Sequence, residues 1–233
     1  MQYCASAFSV LCLCISFCVC PVNAQTRKQL PPPVERITDS VVRVGNVLVD
    51  TQERTVTCPG AINMDNGPVE YLAVGPKGKL HESLLRLDIR PIHLQVALLL
   101  LGLEPRNVLR FQGDPRTPQG PPVELFIRWR DAAGKTQEYR AEDLLMEMPG
   151  QRPTSHGPWV FTGSRILKEG FEADLSHSLI AVWHDPAAIL DNPRPAGASN
   201  AYVVHSRRTP RRGTKIELVI RALSAPAPRG GTS

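Results

Sequence analysis

Gly67 to Pro105 reads GPVEYLAVGPKGKLHESLLRLDIRPIHLQVALLLLGLEP. Val69 to Val74 is a short apolar-rich strand. Gly75-Pro76-Lys77-Gly78 is turn chemistry, because Pro76 presets φ at the first corner and Gly78 tolerates φ > 0. Lys79 to Leu85 returns. The spacing predicts an antiparallel hairpin with Gly78 as a bulge, placing Tyr71 opposite Ser83, Leu72 opposite Glu82 and Ala73 opposite His81. In that register Glu70, Leu72, Val74, Leu80, Glu82 and Leu84 share one face. A one-residue slip would set Glu70 beside His81 and Ser83 instead. Either register puts acidic side chains on a half-buried strand pair.

A helix follows over 91–101. Pro91 suits its first position, whose N–H is unpaired anyway. From Ile92 to Leu101 the first turn alone offers a polar face, and a helix apolar all round is a buried one. The run is too short to span a bilayer, which takes roughly 20 residues. Gly102 can close the helix as a left-handed cap, and Pro105 stops it. The pattern therefore predicts an α+β fold, mainly antiparallel β-hairpins packed around one buried apolar helix, in a single domain over 41–223.

The flanking sequence fits that plan. Val41 to Asp50 and Arg54 to Cys58 read as a second hairpin. Gln112 to Pro122, rich in Pro and Gly, reads as a long surface loop. Beyond it Val123, Leu125, Ile127 and Trp129 alternate with Glu124, Phe126, Arg128 and Arg130. Ala132-Ala133-Gly134 turns the chain and Thr136 to Arg140 returns. Ala141 to Met146 suits a single helical turn. Trp159 to Thr162 and Leu179 to Trp183 are short strands. Asp185-Pro186 resembles an N-cap opening a helix at 187–190, and Lys215 to Leu223 is a final strand.

Residues 1–24 carry no charge and end in Val22-Asn23-Ala24, the pattern of a secretory signal peptide cleaved near Ala24. Export to the periplasm or the exterior follows, and the mature form would not span a membrane; the alternative is a retained anchor. Cys4, Cys12, Cys14, Cys18 and Cys20 leave with the signal, so Cys58 remains, without an internal disulfide partner. A Cys4 iron–sulfur or zinc site is thereby excluded, and no cofactor is expected. Residues 25–40, with Pro31-Pro32-Pro33, read as an extended linker, and 224–233 as a disordered tail.

Glu70, His81 and Glu82 are the residue types for metal ligation or acid–base work. The competing reading is carboxylates satisfied by backbone N–H groups, by Arg86 or by Arg90, since structural networks also perturb carboxylates. His184-Asp185 is a second candidate, set against a helix cap beside a surface histidine, which is favoured. Neither a P-loop nor a dinucleotide fingerprint is present. The net charge of +5 includes the basic run Arg207 to Lys215. Without interleaved aromatics that run is a poor nucleic-acid platform, and export argues further against nucleic acid.

Val69-Glu70-Tyr71, Gly78-Lys79-Leu80-His81-Glu82, Ala97 to Gly102, Trp159 to Ser164 and His184-Asp185-Pro186 together resemble the YdjY-domain family, a group of exported bacterial proteins, over roughly 41–223. The resemblance implies export and names no chemistry. The ferredoxin-like label that some relatives carry does not transfer, because Cys58 alone cannot supply a cluster. Two functions are expected. The first is a non-enzymatic envelope module binding a protein, a glycan or an anionic surface through its sheet. The alternative is a metal-assisted or carboxylate-dependent enzyme centred on Glu70, His81 and Glu82.

Overall fold

The computed structural model describes residues 33–223 except residue 196. The signal segment at 1–24, residues 25–32 of the linker and the tail at 224–233 lie outside the described residues. Three short strands come first, β1 (Val34–Arg36), β2 (Val41–Val44) and β3 (Val47–Asp50), then the longer β4 (Thr55–Ile62). Residues 34–36 of the expected linker are thus in the sheet. The expected strand at 41–50 is two strands, because Gly45, at φ +57°, turns the chain midway. β5 (Tyr71–Val74) and β6 (Ser83–Leu87) flank a 3-10 turn at Leu80–Glu82, and helix α1 (Pro91–Leu100) follows. β7 (Pro122–Arg130) and β8 (Thr136–Arg140) form the expected hairpin, and a 3-10 turn at Ala141–Leu144 leads to β9 (Leu145–Glu147) and β10 (Arg152–Pro153). The rest are β11 (Trp159–Phe161), β12 (Ile166–Leu167), β13 (Gly170–Phe171), α2 (Glu172–Ser176), β14 (Ser178–Ala181), β15 (Leu190–Asp191), β16 (Tyr202–Val204) and β17 (Lys215–Ala222).

The strands pair in the order β4-β17-β7-β11-β15-β14-β5-β6, and β6 pairs back onto β4 through Gly60–Leu87, Ala61–Arg86 and Ile62–Leu85. That pairing closes an eight-stranded barrel. β3, β2 and β1 extend the sheet beyond β4, and β8 extends it beyond β7. The α+β expectation is therefore corrected. Strand accounts for 39% of the structure against 12% helix, and the organising element is the barrel rather than the helix.

Burial follows the strand patterns. β4, β7 and β17 alternate: Val56, Cys58, Val123, Leu125, Ile127, Leu218 and Ile220 are fully buried, while Arg128, Glu217 and Arg221 reach solvent. An eight-stranded barrel has an interior just wide enough for side chains to fill. β5, β11, β14 and β15 are buried at every position. Continuous apolar runs such as Tyr71–Val74 are what strands covered on both faces require. Inside β4, burial pushes the Cys58 thiol up to about 12, so it stays protonated and unreactive.

The expected hairpin is also corrected. β5 and β6 are parallel, with Tyr71 beside Ser83 but Ala73 beside Leu85. The predicted turn does form, with Gly78 N–H donating to the Gly75 carbonyl at 3.0 Å. The 3-10 turn then reverses the chain a second time, fixed by the Ser83 hydroxyl on the Lys79 carbonyl at 2.7 Å. Two reversals restore the original direction. β14 and β15 repeat the arrangement, parallel and joined by a short segment, and β14 lies antiparallel to β5.

α1 starts at Pro91 as expected, and its end is a Schellman motif, with Gly102 N–H on Leu99 O and Leu103 N–H on Leu98 O. It is not buried all round. Leu94, Ala97 and Leu98 are covered, but Leu99 and Leu100 are 45% and 44% exposed. Seated against β2, β3 and β14, the helix flanks the barrel with one side in water. Its N-terminus lacks a cap of its own. Asp174 of α2 supplies one, accepting from Ile92 N–H at 2.9 Å and from the Arg90 guanidinium at 2.7 Å. Its side chain is 6% exposed. Asp174→Ala should cost about 1–3 kcal/mol, since it leaves the part-buried Ile92 N–H without an acceptor, while the half-exposed Arg90 guanidinium turns to water. Asp174→Asn, which keeps a cap acceptor, should cost less. Urea unfolding of the two variants checks this, and equal midpoints would contradict it.

Candidate functional site

The second reversal of the chain places Glu82 directly beside Glu70. Glu70 N–H donates to the Glu82 carbonyl at 2.9 Å, and the Glu70 carbonyl accepts from Val182 and Trp183 at 2.8 and 2.9 Å. Glu70 is thereby pinned between the 3-10 turn at Leu80–Glu82 and the two residues that follow β14. Its carboxylate accepts from Gln112 Nε2 at 3.0 Å, and the same Nε2 lies 3.2 Å from the Tyr71 hydroxyl. Tyr71 donates to Asp185 Oδ2 at 2.7 Å. Lys79 closes the other end, with Nζ 3.1 Å from Glu82 Oε1, 3.2 Å from Gln112 Oε1 and 5.4 Å from the Tyr71 ring centroid. The result is one polar chain, Lys79–Glu82–Glu70–Gln112–Tyr71–Asp185.

Its electrostatics follow from two carboxyls side by side. Partial burial pushes the Glu70 carboxyl up, the neighbouring Glu82 carboxylate pushes it further, and the Lys79 ammonium pulls it back. Burial and the Asp185 carboxylate push the Tyr71 hydroxyl up. Behind them Asp191 is fully buried, accepting from Asp185 N–H at 2.9 Å and Asn192 N–H at 2.7 Å. Burial drives Asp191 well up, although both N–H groups oppose that.

A group whose folded-state affinity for protons is raised adds stability below its unfolded value, about 4.3 for Glu. That contribution is lost as pH rises through the folded value. At neutral pH Glu70 therefore strains the fold. Glu70→Gln should raise the melting temperature at pH 7–8 and confer little below pH 4. A difference independent of pH would contradict this.

Of the residues picked out from sequence, Glu70, Glu82 and Asp185 come together. His81 is 79% exposed and approaches Glu82 from the solvent side, at 3.7 Å. Asp185 caps a turn, accepting from Ala187 N–H at 2.9 Å, rather than opening the expected helix at 187–190, which runs into β15 instead. His184 is not a surface residue. It is fully buried, with Nδ1 2.8 Å from the Asp114 carbonyl and Nε2 2.9 Å from the Arg194 carbonyl. Both ring nitrogens lie within hydrogen-bond distance of a loop carbonyl, and the tautomer decides which one donates. His184 thus ties two loops to the barrel, and one of them carries Gln112. Among the described residues no three His, Cys, Asp or Glu side chains are placed to hold a metal ion, the trio Glu70, His81 and Glu82 included.

Tyr71, Lys79, Gln112 and Asp191 were not singled out from sequence. Tyr71 and Lys79 flank Glu70 and the turn and were within reach of a register argument. Gln112 lies in a loop without periodicity, and Asp191 in a strand too short to show any. Chemically, the chain of residues can hold a proton between two carboxyls beside a compensating cation, at a surface position.

Searches among curated proteins and among solved structures find no match. Among the described residues no helix is long and apolar enough to cross a membrane. Residues 47–221 do match a family, described as the YdjY domain. That span runs from β3 into β17 and takes in every residue of the Glu70 network, so the chain belongs to the YdjY-domain family.

Proposed function

We propose that this chain is an exported, non-enzymatic binding module that engages an anionic glycan of the cell envelope through the outer face of its sheet. The carrying observation is an excess of positive charge where β17 begins. Along that face most charges are paired: Arg140 with Glu124 at 2.7 Å, Arg128 with Glu138 at 2.7 Å and with Glu217 at 3.6 Å. Arg130 and Lys215 meet no carboxylate within 4 Å among the described residues. They line a depression of about 530 Å³ together with Arg128, Thr136 and Glu217. Unpaired cations on a broad surface attract polyanions from a distance. The uncharged segment at 1–24 supports export.

The test is retention on immobilised alginate, a uronate polymer, against neutral dextran. Salt-sensitive retention on alginate alone is expected, weakened at least about tenfold, or 1.4 kcal/mol, by Arg130→Glu with Lys215→Glu. Equal retention on both polymers, or tighter binding to DNA, would overturn the reading. A second reading, a carboxylate-dependent enzyme, draws on the raised Glu70 carboxyl beside Glu82. Cleavage of an envelope polymer that is lost in Glu82→Ala would favour it.

A further inference from the structure

The basic run Arg207 to Lys215 ends against β4, beside the seam where β6 closes the barrel. Gly213 N–H donates to the Ile62 carbonyl at 2.8 Å and Ile62 N–H to the Thr214 carbonyl at 2.9 Å. Arg212 N–H is held by Asp65 Oδ2 at 3.0 Å. These bonds fix Arg212 and Lys215 around a second depression of about 300 Å³, lined also by Ala61, Asn63, Arg86 and Gly213. Arg86 comes from β6, paired with Ala61 of β4 across the seam that closes the barrel. One end of its guanidinium holds Asp88 at 3.2 Å. Its Nε is buried and meets no partner. A buried, unpartnered polar atom in a native fold calls for an explanation, an absent ion among them.

We propose that this depression binds a phosphate group through Arg86, Arg212 and Lys215. Three cations stand against two carboxylates, Asp88 on the Arg86 guanidinium and Asp65 on the Arg212 N–H, an excess of one positive charge. That excess attracts an anion, and the donor geometry selects which one. Guanidinium groups present paired donors that match phosphate oxygens, and an ammonium adds a point charge. No side chain projects from Gly213 to crowd the depression, and its N–H is already committed to the Ile62 carbonyl. The site shares Lys215 with the face proposed above and rests on that reading for the polymer that would carry the phosphate.

The experiment is an NMR titration of the full chain, ¹⁵N-labelled, with sodium phosphate and separately with acetate at constant ionic strength. The Gly213 amide and Arg86 Nε resonances should shift saturably with phosphate and not with acetate. Arg212→Ala should weaken that binding at least about tenfold. Glycerol 1-phosphate binding more tightly than inorganic phosphate would identify a phosphate monoester of a polymer, and the reverse order the free ion; both outcomes support the site. Absence of saturation, equal response to acetate, or unchanged affinity in Arg212→Ala would overturn it. Alginate retention measured on the same variant separates the two proposals. Lost phosphate binding with retained alginate binding is the expected result, whereas a wild-type chain that binds alginate but no phosphate leaves only the surface reading standing.

Discussion

Leu98→Asp is expected to leave the chain unfolded at room temperature, whereas Leu99→Asp, one residue along the same helix, should fold. Leu98 is fully buried where α1 meets the barrel, and Leu99 is 45% exposed. Placing a carboxylate at Leu98 removes a leucine from the core, a loss of roughly 1.5–3 kcal/mol. It also buries an unpaired charge, or the neutral acid that replaces it, for several kcal/mol more. Domains are stable by about 5–15 kcal/mol, so the sum takes most of the margin. At Leu99 the carboxylate reaches water, and a surface change of this kind stays within about 0.5 kcal/mol. Thermal melts followed by circular dichroism compare the two. Similar melting temperatures would show that α1 does not pack as described.

Gly120→Ala should be nearly as damaging, for a backbone reason. Gly120 sits at φ +152°, and a Cβ there would lie 2.0 Å from the Phe161 carbonyl oxygen and 2.6 Å from its carbon. Those atoms belong to β11, whose Phe161 N–H donates to Pro121 O at 2.9 Å at the seam with β7. A backbone cannot step aside as a flexible side chain does, so the methyl has to break that seam and open the barrel wall. A loss of several kcal/mol is expected, in the range reserved for named mechanisms such as backbone strain. Gly134→Ala is the control. Gly134 also has positive φ, +77°, but nothing lies within 4 Å of its added Cβ, in the β7–β8 turn outside the ring. It should cost about 1–2 kcal/mol, the left-handed penalty alone. Urea midpoints measure both; equal losses would contradict the crowding at Gly120.

The contrast between these sites shows where sequence was informative. Val123 to Arg130 and Lys215 to Ala222 expose one face to water, so a period of two was visible and both strands were found. Pro91 and Gly102 marked both ends of α1 through local chemistry. Strand direction was not legible at Tyr71–Val74, because a strand buried on both faces has no alternation to orient it. The turn at Gly75–Gly78 is genuine, and its residues carry no sign of the second reversal at Leu80–Glu82. Barrel closure depends on β6 meeting β4, a long-range pairing that no local pattern encodes. The helix was misjudged because exposed Leu99 and Leu100 are written in the same letters as buried Leu98. The Glu70–Glu82 pair survived the wrong topology because both arrangements set Tyr71 beside Ser83. Gln112 and Asp191 reach it from segments whose approach is set by the barrel alone.

The measurement that bears most directly on the closed barrel is the set of cross-strand backbone NOEs at Ala73, Gly60 and Leu87. Parallel β5–β6 pairing predicts NOEs from Ala73 to residues around Leu85, and closure predicts NOEs between Gly60 and Leu87. An antiparallel hairpin would instead connect Ala73 with His81, and an open sheet would leave Gly60 without contact to Leu87. Contacts from Ala73 to Leu85 together with Gly60 to Leu87 are the expected result; a contact from Ala73 to His81, with Gly60 silent, would contradict the barrel.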